Sequence, residues 1–467
     1  MEAKKRRDLF ENAYVCFLLV AIIVVVISIF NFNYDKMHSD TMLHYVATRA
    51  YLKNPAALLH NDGNDPRITD MYGHTSYPPG FRILNMPFIW NPSILSFIVA
   101  GLAVVLLWIK DPKAAVFIGT SSIFLYWSGQ ADTGIFVGLF AVIVYFLLDM
   151  KKDWSIGIAG LLAGFSVLVK PMFSYLMLPA GIVFIFFNAD WNRMKKIKLI
   201  SLFAILFLIF PSIWGIEMFL ETGNPFYPIF EESNLPSKGT YIYRGNKTSI
   251  GDYYNQRVKP YEDNFGEPYS FLQVDLIFYL AAIGVIFYPK KTSFEWVFGA
   301  GIILLFIAMY VTRPILGQYF QVRYLLVAWP CFALFISSLY SRIKFRLKDI
   351  LVLIFIISSV IFSFYLSTAN VLPESLSKIM EFAAVENPGE PITGYSGWLF
   401  EYYTSRPYVE NAADEIKVYE IHIGESISLN TFVYTTGSGG RYFWSNGKYF
   451  TITADDKVNE FIWRRDV

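Results

Sequence analysis

Long apolar runs separated by short basic turns dominate the first 370 residues. Runs close to the ~20 apolar residues that cross a bilayer fall at 10–32, 91–109, 113–129, 132–149, 156–169, 172–188, 198–220, 271–288, 294–311, 322–340 and 350–368. They predict a polytopic α-helical membrane protein with about eleven transmembrane helices. The stretch 156–188 reads as two helices. Merging them would put Lys151 and Arg193 on opposite faces, and Lys170-Pro171 in the middle favours a break. With the basic N-terminus (Lys4, Lys5, Arg6, Arg7) inside, each short turn on that side carries Lys or Arg: Lys110 and Lys113, Lys151 and Lys152, Arg193 to Lys198, Lys290 and Lys291, and Arg342 to Lys348. That is the positive-inside bias. It places the N-terminus in the cytoplasm and two long loops, 33–90 and 221–270, on the extracytoplasmic side.

Beyond residue 370 the pattern changes. Short alternating runs such as "KVYEIHIGESISLNTFVYTTGSGG" and "KYFTITADDKVNEFIW", separated by Gly and Asn, predict a small soluble domain of strands with one or two helices. The expected organisation is a membrane domain over 1–370 and an extracytoplasmic α/β domain over 371–467. No internal repeat of the kind that marks many secondary transporters is found.

Composition sharpens this picture. Only 16% of residues are charged and 55% are hydrophobic, against about 25% charged in soluble domains. A net charge of +1 gives no reason to expect nucleic acid. Cys16 and Cys331 fall in spans at opposite ends of the chain and read as small buried apolar residues. The first run is too long for a cleaved signal and reads as a retained anchor. No P-loop, no glycine-rich dinucleotide motif and no Cys-rich metal pattern occurs.

The candidate chemistry lies on the extracytoplasmic side. "HSDTMLHY", 38–45, places His38, Asp40 and His44 just beyond the first span. Asp40 can cap the interfacial helix expected over 41–54, which would fix its carboxylate in space. If a divalent metal (Mg or Mn) is bound, His38, Asp40 and His44 are its candidate ligands. "TSYPPGFRIL", 75–84, makes a rigid turn that returns Tyr77 and Arg82 to the interface. Asp132 tops the turn before the fourth span. Lys170 ends "GIAGLLAGFSVLVKP", a helix whose Gly160 and Gly164 permit close packing. Arg313 and Arg323 flank a further outer turn. These cations stand where the positive-inside bias disfavours them, and together they suggest a phosphate held at the outer leaflet.

In order along the chain, "HSDTMLHYVATRAYL", "YPPG", "GLLAGFSVLVKP", "GNPFYP", "RYLLVAWPCFAL" and "PITGYSGWLFEYYTSRPYVEN" resemble the GT-C superfamily of integral-membrane glycosyltransferases. The branch resembled holds the protein O-mannosyltransferases, the aminoarabinose transferases and related enzymes that use polyprenyl-phosphate sugars. The resemblance implies a GT-C fold with the external loops roofing the active site. It places Asp40 at the catalytic acid, and Arg82, Lys170, Arg313 and Arg323 at the donor phosphate. Substrate contacts are expected from His38, His44, Tyr77 and Asp132. Relatives often carry a second acid beside the first. Here Ser39 and Thr41 flank Asp40, and Asp35 is the nearest preceding acid.

The implied reaction is inverting transfer of a sugar, such as mannose, from a polyprenyl (dolichyl) monophosphate to an acceptor hydroxyl on a glycan, lipid or protein. The implied location is the plasma membrane, or the endoplasmic reticulum in a eukaryote. Two other readings remain open. A lipid or glycan transporter or flippase would need ionisable residues along a midplane path, and Glu217 and Glu295 are the few acids near spans. An O-antigen ligase-like or polymerase-like enzyme would use a diphosphate carrier instead.

Overall fold

The computed structural model describes residues 79–90, 92–128, 133–223, 225, 276–316, 322–344 and 348–368, six strand segments between 392 and 464, and, singly, Leu19, Ile22, Ile23, Thr48 and Leu52. The chain divides into two compact units. One comprises Met1–Tyr34, Thr75–Leu84 and Trp90–Thr368; the other comprises Asp35–His74, Asn85–Ile89 and Ala369–Val467.

The first unit is helical. Its elements are α1 (Gly80–Asn85, whose last residue belongs to the second unit), α2 (Pro92–Lys110), α3 (Pro112–Gly119), α4 (Ser122–Ser128), α5 (Thr133–Asp149), α6 (Asp153–Val169) and α7 (Pro171–Ser174). They continue with α8 (Met177–Phe187), α9 (Arg193–Thr222), α10 (Leu276–Phe287), α11 (Phe294–Leu316), a 3-10 segment (Val322–Ala328), α12 (Trp329–Arg342) and α13 (Lys348–Thr368). The first expected span, 10–32, lies outside the described residues except for Leu19, Ile22 and Ile23.

Three expected spans are interrupted, each for a local reason. The run 113–129 is split into α3 and α4 at Thr120-Ser121, where the Thr120 hydroxyl donates to the Val116 carbonyl at 2.6 Å and competes with helical bonding. The run 172–188 is split at Tyr175-Leu176, so that Pro179 falls in the first turn of α8, where its missing N–H is tolerated. The run 322–340 begins as a 3-10 segment, and the α-helix proper starts so that Pro330 sits in its first turn. In the other direction, α11 continues to Leu316 and carries Arg313 on the helix rather than in a turn.

α12 is the centre of the unit. It packs against α3, α10, α11 and α5. Phe332, Phe335 and Cys331 on it are buried, and Cys331 is a free thiol. α9 is the opposite case. It packs along α6 yet leaves Ile205, Leu208, Ile213, Ile216, Phe219 and Leu220 exposed. A flank of bare aliphatic and aromatic side chains suits hydrocarbon and not water. Among the described residues, Arg193–Leu220 and Leu325–Arg342 are the helices long and apolar enough to cross a bilayer, and shorter apolar helices surround them. α9 ends on Gly223, whose φ of 75° provides a left-handed cap bonded back to Phe219.

In the second unit a six-stranded sheet runs in chain order: β1 (Ile392–Gly394), β2 (Ile416–Ile421), β3 (Thr431–Thr435), β4 (Arg441–Ser445), β5 (Lys448–Ala454) and β6 (Phe461–Arg464). β1 and β2 are parallel, and every later neighbour is antiparallel. The β4–β5 register runs from Tyr442 opposite Thr451 to Ser445 opposite Lys448. In the same register Phe443 stands opposite Phe450 and Trp444 opposite Tyr449.

Candidate active site

Contacts within the helical unit define its two ends. At one end the basic turns meet. Asp111 is the single residue between α2 and α3. Its Oδ1 accepts from the Lys113 and Ala114 amides at 3.0 and 3.4 Å, and its Oδ2 accepts from the Ser337 hydroxyl at 2.5 Å. Lys113 donates to Ser341 at 3.0 Å, and the Tyr340 hydroxyl donates to Asp349. Tyr288 stacks edge-on against Phe335 at 5.3 Å and donates to Glu295 Oε1 at 2.6 Å. The Lys110 ammonium lies 3.9 Å from the Tyr145 ring centroid near the end of α5. In the next turn Lys151 pairs with Asp190, and Asp153 accepts from Lys198 at 3.2 Å with Lys195 at 3.7 Å. The bond to Lys151 holds the Asp190 carboxyl below its ordinary range, and the same bond raises Lys151. All five basic turns therefore gather at one end.

The opposite end is where α5 and α7 start and α6 stops. Three segments converge there. α1 is one. A Cβ on Gly80 would lie 2.7 Å from the carbonyl carbon of Leu168, two residues before Lys170. The adjacent Phe81 sets its ring edge-on against Phe136 of α5 at 4.9 Å. The 3-10 segment is the second; its Leu326 carbonyl would lie 3.0 Å from a Cβ on Gly138 of α5. The third is the elbow between α6 and α7. Lys170 there has an extended backbone (φ −154°, ψ 102°), as a residue before proline should.

These segments carry the cations singled out in the sequence. Arg82 is on α1 and only 5% exposed, so its guanidinium is removed from bulk solvent. Lys170 is at the elbow and half-buried. Arg323 is on the 3-10 segment, which packs on α5, and Arg313 is in the last turns of α11, whose first turn lies at the basic end. The helix directions thus bring all four to the end away from the basic turns. A buried or half-buried cation is stabilised by anions or by dense hydrogen bonding, and such a group can offset charge on a phosphate. Asp40, His38, His44, Tyr77 and Asp132 lie outside the described residues; α5 begins at Thr133, immediately after Asp132. Among the described residues no group of three or more His, Cys, Asp or Glu side chains could hold a metal.

Two features escaped the reading of the sequence. Gly80 was legible as part of a turn but not as a contact with α6, because a packing partner leaves no mark on local sequence. Ser174 follows Lys170 by one helical turn, and its hydroxyl lies 2.6 Å from the Lys170 carbonyl. The only signal was a small polar residue in an apolar stretch.

No protein-family model matches the chain, and no curated protein sequence matches it. Solved structures do. Over 91% of this chain and 96% of the other, it superposes on ArnT from Cupriavidus metallidurans bound to undecaprenyl phosphate, with a TM-score of 0.55 at 11% identity. The chain has an ArnT-like fold. The apo state of the same ArnT gives a TM-score of 0.52 at 11% identity, over 84% of this chain and 85% of that one. The likeness is one of architecture alone.

Proposed function

We propose that this protein is a membrane glycosyltransferase that moves a sugar from a polyprenyl monophosphate to an acceptor hydroxyl. The observation that carries the reading is the ArnT-like fold over nearly the full length of both chains, in a crystal structure whose ligand is a polyprenyl phosphate. Arg82, Lys170, Arg313 and Arg323 on the segments around α5 support it. In this proposal Asp40 takes the proton from the acceptor hydroxyl as general base. The hydroxyl oxygen forms a bond to the anomeric carbon while the bond from that carbon to the phosphate oxygen breaks, inverting the configuration. The leaving polyprenyl phosphate carries away the bonding pair, and the cations offset its growing charge in a partly dehydrated setting. His38, His44, Tyr77 and Asp132 contribute substrate contacts. The basic end faces the cytoplasm by the positive-inside rule, so the reaction takes place on the extracytoplasmic side.

The test is sugar transfer by purified protein from a panel of undecaprenyl- and dolichyl-phosphate sugars, with and without chelator. The reading expects product from one donor class. Activity that survives chelation removes the metal from the proposal; activity restored by Mg or Mn after chelation retains it. Transfer from diphosphate carriers alone would replace this reading with that of a ligase-like or polymerase-like enzyme.

A further inference from the structure

A buried hydroxyl sits at the elbow between α6 and α7. Ser174 is fully buried. Its Oγ lies 2.6 Å from the Lys170 carbonyl oxygen and 3.1 Å from the Ser166 carbonyl oxygen. The Lys170 amide donates to that same Ser166 oxygen at 3.0 Å. The Ser166 hydroxyl in turn donates to Ala163 at 2.6 Å and lies 3.5 Å from the Met177 sulfur. The backbone of Lys170 is thus fixed on both sides, through its amide to Ser166 and through its carbonyl to Ser174. Pro171 supplies no N–H to the Val167 carbonyl, so the helix breaks at Lys170. Ser174 adds a side-chain donor at that break, beside the Lys170 and Ser166 carbonyls.

We propose that Ser174 is a positioning residue for Lys170, setting where its ammonium meets the phosphate of the lipid donor. Pro171 forces Lys170 out of helical geometry, and a long flexible side chain on a loose elbow would spread its charge over many positions. A hydroxyl on α7 that bonds to the Lys170 carbonyl fixes the backbone from which that side chain projects before the ligand arrives. The inference rests on the lipid-phosphate reading above, and extends it from the cation to the group that aims it.

The experiment is direct binding of undecaprenyl phosphate to the full-length protein in detergent. The set is wild type, Ser174→Ala, Ser174→Thr, Ser174→Cys, Lys170→Ala and the Lys170→Ala/Ser174→Ala double variant. Thermal melting of each is recorded alongside. Loss of one hydrogen bond corresponds to about three- to tenfold weaker binding for Ser174→Ala. Ser174→Thr keeps the hydroxyl and restores binding. Ser174→Cys preserves the shape, so it tests the hydrogen bond even if the alanine variant folds poorly, and it too binds more weakly. On the Lys170→Ala background Ser174→Ala has no further effect, because a positioning residue without its cation has nothing to position. Wild-type affinity in the alanine and cysteine variants overturns this inference and leaves the functional reading standing. Equal losses with and without Lys170 overturn it also, in favour of a general structural role. Absence of binding by the wild type overturns the functional reading, and this inference with it.

Discussion

Gly80 touches Leu168 so closely that a methyl group on Gly80 would lie 2.7 Å from the Leu168 carbonyl carbon and oxygen and 2.8 Å from its Cβ. The contact seats α1 against the end of α6, and so sets Arg82 beside the segment that carries Lys170. Backbone atoms cannot yield as a side-chain tip can. Gly80→Ala must push the two segments apart, at a cost of about 1–3 kcal/mol for an overpacked site. The variant should melt lower and bind polyprenyl phosphate more weakly, measured on one preparation by thermal unfolding and ligand titration. Unchanged binding would show that the Arg82 and Lys170 segments act independently.

The α6–α9 interface makes a matched pair of predictions. A Cβ on Gly164 would lie 2.1 Å from the Phe207 carbonyl oxygen, and one on Gly160 would lie 2.5 Å from that of Phe203. Gly101 on α2 has nothing within 4 Å. Gly164→Ala should therefore destabilise by about 1–3 kcal/mol. Gly101→Ala should be neutral or stabilising by up to about 1 kcal/mol, from helix propensity alone. Thermal melts of the two variants should move in different directions, and a matching loss in both would refute the close-packing account.

Glu295 is 3% exposed; its Oε1 accepts from Tyr288, while its Oε2 has no hydrogen-bond partner among the described residues. Removing the tyrosine hydroxyl strands the acid further. Tyr288→Phe should cost about 1–3 kcal/mol. The Tyr288→Phe/Glu295→Met double variant should recover part of that loss, since replacing both partners of a buried polar pair is less harmful than removing one. Denaturation of the single and double variants decides it; a double variant less stable than Tyr288→Phe would show that Glu295 has another role.

Lys151 and Asp190 are both exposed, so their pair contributes little. The signs are nonetheless fixed. Asp190 is lowered from the usual 3.8, so its contribution is complete above that value and is lost as pH falls through the lower folded-state value. Lys151 is raised from 10.5, so its contribution is complete below that value and is lost as pH rises through the higher one. Asp190→Asn should thus give a small melting-temperature decrease that is constant from about pH 5 to pH 9 and shrinks in acid. A change centred near neutrality would implicate a different group.

That ion pair also shows what was legible in the sequence. The choice of two helices over 156–188 rested on Lys170-Pro171 and on keeping Lys151 and Arg193 on one side. The Lys151–Asp190 and Lys198–Asp153 contacts place both turns at the same end. Charge and proline are local signals, and they carried the basic end and the helix break, while short alternating runs between Gly and Asn carried the strands beyond residue 370. Gly160 and Gly164 were recognisable as packing positions, although their partner, α9, was not. The interruptions at Thr120 and Leu176 were hidden because a transmembrane run is defined by hydropathy, and hydropathy does not register a hydroxyl that bonds to its own helix. That the segments carrying Arg82, Lys170 and Arg323 pack around α5 depends on contacts between residues far apart in the chain, and no local pattern encodes it.

The central claim is that Asp40 drives sugar transfer from a lipid monophosphate. The most direct test compares wild type and Asp40→Asn in single-turnover transfer from the preferred polyprenyl-phosphate sugar, with donor binding measured in parallel. The account predicts that Asp40→Asn binds donor as the wild type does and transfers sugar about 10²- to 10⁴-fold more slowly, the loss expected from a missing general base. Normal transfer by Asp40→Asn would contradict it.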